Sequence, residues 1–284
     1  MSGKFFSVIL WGTLPSFCKI FPRFLCEAKK NKFSVKITSK FCSFCYNGNS
    51  ITVPVCGPVQ KGSIPVEQNK LEAKRAALLA AGVQMMDPTA VWVEDTVTVG
   101  KGTLLLPGTI LRGSTVIGEG CEIGPNTMLV DCTVGSNVTI NSSQCSESEI
   151  QDRCEIGPFA HLRPHSVVRA GSKIGAFVQL KNCDLGEGTK MAHLTYVGDA
   201  DVGPGCNFGC GTVTCNYDGK HKDRTTIGSS VFIGCHTKFI PPVAVGDKAY
   251  IAAGTTITED VPEGRFVIGR ARQQVKENWK DKRD

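Results

Sequence analysis

An aliphatic side chain returns every sixth residue over most of this chain, and that clock limits the fold more than any other feature. Val99, Leu105, Leu111, Ile117, Ile123 and Leu129 form one register. Ile156, Leu162, Val168, Ile174 and Leu180 form a second, and Ile227, Ile233, Phe239, Val245, Ile251 and Ile257 a third. Gly follows several of them, as at Gly100, Gly118, Gly175, Gly228 and Gly246, and the step shortens to five between Leu180 and Leu185. Neither the 3.6-residue helix nor the two-residue alternation of a sandwich strand keeps this time. One aliphatic residue in six can point into a narrow interior, while the small residue after it lets the chain turn a corner. Three hexads then close a triangular coil, and coils must stack to bury what each one points inward. Roughly 160 residues at about 18 per coil give about nine coils. The expectation is an all-β chain, a parallel β-helix of hexapeptide repeats.

The flanks read differently. Residues 1–65 form a basic leader, either disordered or a targeting segment. Residues 66–84 form a linker carrying a helix over 66–82 that ends at Gly82, a C-terminal stop. Residues 85–284 form the β-helix, closed by a charged tail helix. The segment LLAAGVQMMD at 78–87 lacks the second Gly and the basic residue of a nucleotide-phosphate loop.

The net charge of +6 sits at one end. Residues 1–60 carry eight Lys/Arg and one acid, Glu27, leaving 24 basic and 25 acidic residues in the rest. The body therefore has no basic field of the kind nucleic acid requires. No apolar run approaches the ~18 residues of a membrane span. Nine of the 14 cysteines lie in the body, scattered through repeat positions, and read as small buried hydrophobes in a reducing compartment. The expected location is cytoplasmic, or an organelle lumen if the leader is a targeting segment. The Cys42–Cys45 pair has no nearby His to complete a zinc site, so no metal is expected.

The clock stops once. Between Thr214 and Ile227 a polar excursion, CNYDGKHKDRTT, leaves the repeat. Loops that leave a rigid solenoid often carry function. Among the five His, His193 stands in the segment HLTYVGDADVG (193–203). With IGPFAHLRP (156–164), IGAFVQLKN (174–182), GCGTVTCNYDGKHK (209–222), IAAGTTIT (251–258) and IGRARQQ (268–274), it resembles the C-terminal acetyltransferase domain of the bifunctional bacterial enzymes that make UDP-N-acetylglucosamine.

The resemblance implies a left-handed winding and acetyl transfer from acetyl-CoA to the amine of glucosamine-1-phosphate. It implies His193 as general base with Asn216 orienting it. Arg163, Lys181, Tyr196, Asn207 and Lys222 would hold the sugar phosphate. Cys210, Asn216, Tyr217, Cys235, Ala253 and Arg270 would hold acetyl-CoA. It further implies a homotrimer with active sites between subunits, and the uridyltransferase half of those enzymes is not expected here. Three positions depart from the family pattern: Gln179 where Glu is common, Cys210 for Ala and Cys235 for Ser. The thiols do not make a nucleophile, because direct transfer needs no acyl-enzyme.

Three other readings compete. A hexapeptide carbonic anhydrase needs three zinc-binding His, and His161 and His165 have no third partner at the right spacing. A non-catalytic scaffold or regulatory subunit needs neither base nor phosphate clamp. Another hexapeptide acyltransferase would take a nucleotide sugar instead.

Overall fold

The computed structural model describes residues 33–38, 41–46, 49–54 and 64–276, with side chains from residue 68 onward. The chain divides into two units, Met1–Ile64 and Pro65–Asp284. In the first, strands Phe33–Thr38, Phe41–Tyr46 and Asn49–Pro54 pair antiparallel. The Cys42–Cys45 pair lies where no side chain is described.

The second unit is the parallel β-helix. It opens with α1 (Ile64–Ala80), which Gly82 terminates at φ +91. Glycine reaches that left-handed backbone without penalty. Leu78, part of the β-helix core, holds α1 to the coils. Lys74 donates to the Asp95 carbonyl at 2.7 Å and Arg75 Nε to the Val91 carbonyl at 2.8 Å. The helix thus covers the open end of the first coil.

The first face stacks eleven strands, from Gln84–Met85 to Phe266–Val267. The repeat therefore begins a coil earlier than the sequence registers suggest. Coils are also tighter than 18 residues in places: Glu122, Thr139 and Glu155 head successive strands of this face, steps of 17 and 16. Every pairing among the coils is parallel and in register, with Ile123 beside Ile140 and Ile140 beside Ile156. Each side-chain position consequently becomes a column running the length of the prism.

Two columns per face fill the interior. The hexad aliphatics are one: Leu105, Leu111, Ile123, Leu129, Leu162, Leu180, Ile233, Phe239 and Ile251 have no exposed surface. The second, two residues earlier, holds small residues that periodicity had not separated out. Thr103, Thr109, Thr115, Thr127, Thr212 and Thr237 are fully buried there. Their hydroxyls satisfy the corner: Thr109 Oγ1 donates to Leu106 O at 2.7 Å, and Thr212 and Thr237 make the equivalent bond. Cys121, Cys154 and Cys206 occupy the same positions on the first face. Six of the nine body cysteines are buried, as expected of small hydrophobes, whereas Cys210 and Cys215 are half-buried and Cys235 is exposed.

Among the described residues the only α-helix is α1. Residues 271–276 have no regular structure, and the remainder of the expected tail helix lies outside the described residues. No described helix is long and apolar enough to cross a membrane.

Two stability measurements follow from these columns. Phe239→Ala empties the largest fully buried side chain, and chemical denaturation should record a loss of about 3–5 kcal/mol. Thr225 carries the one buried side-chain polar atom without a hydrogen-bond partner among the described residues. Thr225→Val should therefore leave stability unchanged or raise it by up to about 1 kcal/mol, since no bond is lost and an unpaired hydroxyl leaves the interior.

Candidate functional site

The polar excursion is a short hairpin. Tyr217 and Lys222 pair antiparallel, and the Asp223 N–H closes the neck on the Asn216 carbonyl at 3.0 Å. Asp218 organises the tip, accepting the Lys220 and His221 backbone N–H groups at 2.7 and 2.6 Å. Those bonds, with the His221 imidazole, hold the Asp218 carboxyl below the usual aspartate range. Arg224 anchors the return. Its Nε and Nη2 grip Asp201 at 2.6 and 2.5 Å, and Nη1 reaches the Asn182 carbonyl at 3.1 Å. The excursion makes one turn of the first face 25 residues long, from Asn207 to Phe232.

This hairpin carries Lys222 back onto the second face, which stacks strands His161–Leu162, Gln179–Leu185, Tyr196–Val202 and Val213–Thr214. There the register sets Arg163 beside Lys181 on successive coils, Leu162 pairing with Leu180, and the Lys222 side chain reaches the neighbourhood of the Lys181 ammonium. Lys222 foremost, with burial and Arg163, lowers the Lys181 pKa. Burial first, and Arg163 second, hold the His161 imidazole below its usual range.

Asp199, only 7% exposed, faces the same group. Its carboxylate accepts Asn182 Nδ2 at 2.5 Å and the Asn216 side-chain amide. Burial alone would raise its pKa, but the two amides, Lys181 and Lys222 together bring it below the ordinary value. Tyr196 completes the cluster. A Cβ on Gly198 would collide with the Tyr196 hydroxyl and stand 3.1 Å from Asn216 Nδ2, so glycine is what lets the phenol lie beside the amide.

A single chain therefore brings together Arg163, Lys181, Tyr196, Asn216 and Lys222, and adds Asn182 and Asp199, which sequence reasoning missed. The signal was faint: two Asp inside one strand of HLTYVGDADVG, one of them on left-handed backbone at φ +50.

His193 and four of the acetyl-CoA candidates lie along the corner between the first and second faces. Met191 beside Phe208, Phe208 beside Ile233 and Ile233 beside Ile251 set His193, Cys210, Cys235 and Ala253 in one column. Three coil steps span about 14 Å. Corner bonds tie successive coils: His236 N to Cys210 O at 2.8 Å and Gly254 N to Cys235 O at 2.7 Å. A Cβ on Gly209 would stand 2.5 Å from the Cys235 nitrogen, so glycine permits this approach. At the far end Arg270 Nη1 donates to the Ala253 carbonyl at 2.6 Å. Tyr250, Ala252, Ala253, Phe266 and Arg270 line an open groove of about 410 Å³ there.

Asn207 stands apart on the first face, exposed, between Lys190 and Phe232. Tyr217 is exposed on the hairpin and donates to the Gly219 carbonyl at 2.7 Å. Gln179 sits between His161 and Tyr196 on the second face. Among the described residues no group of three or more His, Cys, Asp or Glu is disposed to hold a metal ion.

Comparisons with known proteins agree with this architecture. Residues 96–130 and 224–259 match the family described as bacterial transferase hexapeptide (six repeats). The chain is 50% identical over 202 residues to a protein named bifunctional protein GlmU from Caldanaerobacter subterraneus subsp. tengcongensis, covering 71% of this chain and 44% of that one. A protein of the same name from Clostridium acetobutylicum is 48% identical over 202 residues, with the same coverage. One from Thermotoga petrophila is 46% identical over 220 residues, 78% of this chain and 49% of that one. The chain thus spans about half the length of the curated relatives it matches.

Arg224 lies in none of the expected ligand roles, which makes it a clean probe of the hairpin. Arg224→Ala should raise amide hydrogen exchange over 216–223 severalfold while the coil amides keep their protection.

Proposed function

Because the chain is a hexapeptide-repeat protein related to the bifunctional GlmU proteins, we propose that it transfers acetyl from acetyl-CoA to the amine of glucosamine-1-phosphate. The observation that carries this reading is the meeting of Arg163, Lys181 and Lys222 with Tyr196 and Asn216 on one face. Three cations gathered in a body of net charge −1 need an anionic ligand, and a phosphate monoester supplies one.

The corner column gives acetyl-CoA its line. Its nucleotide end takes the groove beside Tyr250 and Phe266, with Arg270 on a phosphate. The pantetheine arm runs up past Ala253 and Cys235, and the thioester arrives near Cys210. Cys210 then serves through its backbone N–H, which accepts the change from Ala without loss. The acceptor ammonium gives one proton to solvent, and His193, heading the column, removes a second proton from the nitrogen as the new bond forms. The freed amine attacks the thioester carbonyl, a backbone N–H holds the tetrahedral oxyanion, and the C–S bond breaks. The thiolate leaves as CoASH on taking the proton from His193. Asn216 orients the imidazole, Tyr196 and Asn207 hydrogen-bond the sugar, and Tyr217 lies against the CoA arm.

The transferase works as a homotrimer with sites completed between subunits. Support comes from an apolar ridge on the same corner: Phe159, Phe177 and Leu194 are 58%, 59% and 58% exposed. The two phenyl rings stack at 5.3 Å. All three sit on left-handed backbone, at φ +60, +58 and +45, a conformation bulky side chains rarely adopt without a packing reason. The nine free cysteines among the described residues suit a reducing, cytoplasmic setting.

Turnover decides among the readings. With acetyl-CoA, glucosamine-1-phosphate should release CoASH in preference to glucosamine or a UDP-amino sugar. Preference for the UDP-amino sugar would instead establish the nucleotide-sugar acyltransferase, and no release with any acceptor would establish a scaffold. His193→Ala should lower kcat by about 100-fold or more with an unchanged melting curve; unchanged turnover would remove His193 from the role.

A further inference from the structure

The cluster on the second face contains three cations and one buried acid, and the transfer chemistry leaves that acid without a task. We propose that Asp199 is a positioning and charge-balancing residue, which fixes the Asn216 amide and trims the cluster to the charge of a phosphate-monoester dianion. The inference rests on the acceptor site proposed above and deepens it.

Positioning follows from what the carboxylate touches. Asp199 lies between two coils, with Asn182 supplied from one side and Asn216 from the other. Both carboxylate oxygens are occupied by amide donors. A carboxylate can only accept, so Asn216 must turn Nδ2 toward it and leave Oδ1 free for a ligand or for an imidazole N–H. Both residues are buried, Asp199 and Asn216 at 7% exposure each, so neither has water to substitute for the other. Asp199 holds this place on left-handed backbone, φ +50, as does Asn182 at φ +46. A strained backbone at two linked positions marks a place where the surrounding structure over-determines the geometry.

Charge balance follows from what the carboxylate does not touch. Its hydrogen bonds go to neutral amides rather than to an ammonium group, so its charge acts on Lys181 and Lys222 through space. Arg224 does not add to the total, because Asp201 binds it bidentately. Arg163, Lys181 and Lys222 less Asp199 leave a formal charge of +2. A phosphate monoester carries about −1.5 to −2 at neutral pH. A neutral amino sugar leaves the pocket's charge uncompensated. Without the carboxylate the pocket would rise to +3, grip phosphate harder and lose the amide's orientation.

The opposing signs make the test. Asp199→Asn keeps the shape and tolerates a positive φ. Titration calorimetry should show inorganic phosphate binding severalfold tighter to Asp199→Asn than to the unaltered protein. The kcat with glucosamine-1-phosphate should fall on the order of tenfold. Asn216→Ala should lose a similar factor. The double variant should be no slower than Asn216→Ala alone, since Asp199 acts through that amide, while keeping the tighter phosphate. A residue that merely supports the fold would weaken phosphate binding and turnover together. Phosphate affinity unchanged or lowered in Asp199→Asn, or losses in kcat that add in the double variant, overturns the proposal. If the unaltered protein acetylates no amino-sugar phosphate, the acceptor reading falls on its own. Calorimetry still decides the charge role in that case. The Asn216 side-chain amide resonances decide the positioning role, slow to exchange with Asp199 present and fast in Asp199→Asn.

Discussion

Parallel, in-register pairing between coils is the constraint from which the rest of this structure follows. Each backbone strand satisfies its polar groups on the coil above and the coil below, so a slip by one residue would turn a column of aliphatics outward. Register thus fixes the core, with Ile123, Ile140 and Ile156 in one line. It also fixes the exterior. A residue one coil away in sequence becomes a neighbour in space, and groups distant in sequence meet without any loop folding over to join them. Arg163, Lys181 and Asp199 reach one another by this route alone.

The hairpin supplies what stacking cannot. Columns deliver side chains at fixed intervals along a face, but an anion needs cations around it in three dimensions. By leaving the repeat after Thr214 and returning at Thr225, the chain brings Lys222 against Lys181 from outside the column. Bringing two ammonium groups together is unfavourable, and three devices contain the cost. Asp218 rigidifies the tip, Arg224 pins the return to Asp201, and Asp199 places a buried negative charge behind the pair. Rigidity matters because a flexible lysine would swing into water and escape its neighbour.

How far the sequence could be read depended on whether a feature repeats. The six-residue clock named the aliphatics of its three registers individually, and all of them but the half-buried Val99 lie in the core, since burial follows position within the hexad. The excursion was visible because it broke the clock. Its shape was not, because a hairpin and an irregular loop share the composition Asn, Asp, Gly and Lys. Asp199 was illegible for a different reason. Its partners Asn182 and Asn216 stand 17 residues away on either side, and coils of 16, 17 or 18 residues occur together. Small errors in counting corners move such a residue off its partners. The Thr and Cys column was hidden because hydroxyl and thiol groups read as polar until the corner carbonyls that satisfy them are known. Asn207 and His193 illustrate the last difficulty: within one chain they lie on the first face and its corner, away from the cation cluster.

The departures at Cys210 and Cys235 make physical sense on the corner column. What the column presents at those two positions is backbone, held at regular steps because the Cys210 and Cys235 carbonyls accept the N–H groups of His236 and Gly254. A side chain at such a position contributes little to register and can change from Ala or Ser to Cys while the backbone stays in place. The glycines beside them have no such freedom. Gly209 and Gly234 both lie where any Cβ would strike the backbone of the following coil. The separation between those coils, and with it the spacing of every group along the corner, is set by glycine. Tolerance at residues 210 and 235 and intolerance at residues 209 and 234 are therefore two consequences of one stacking geometry.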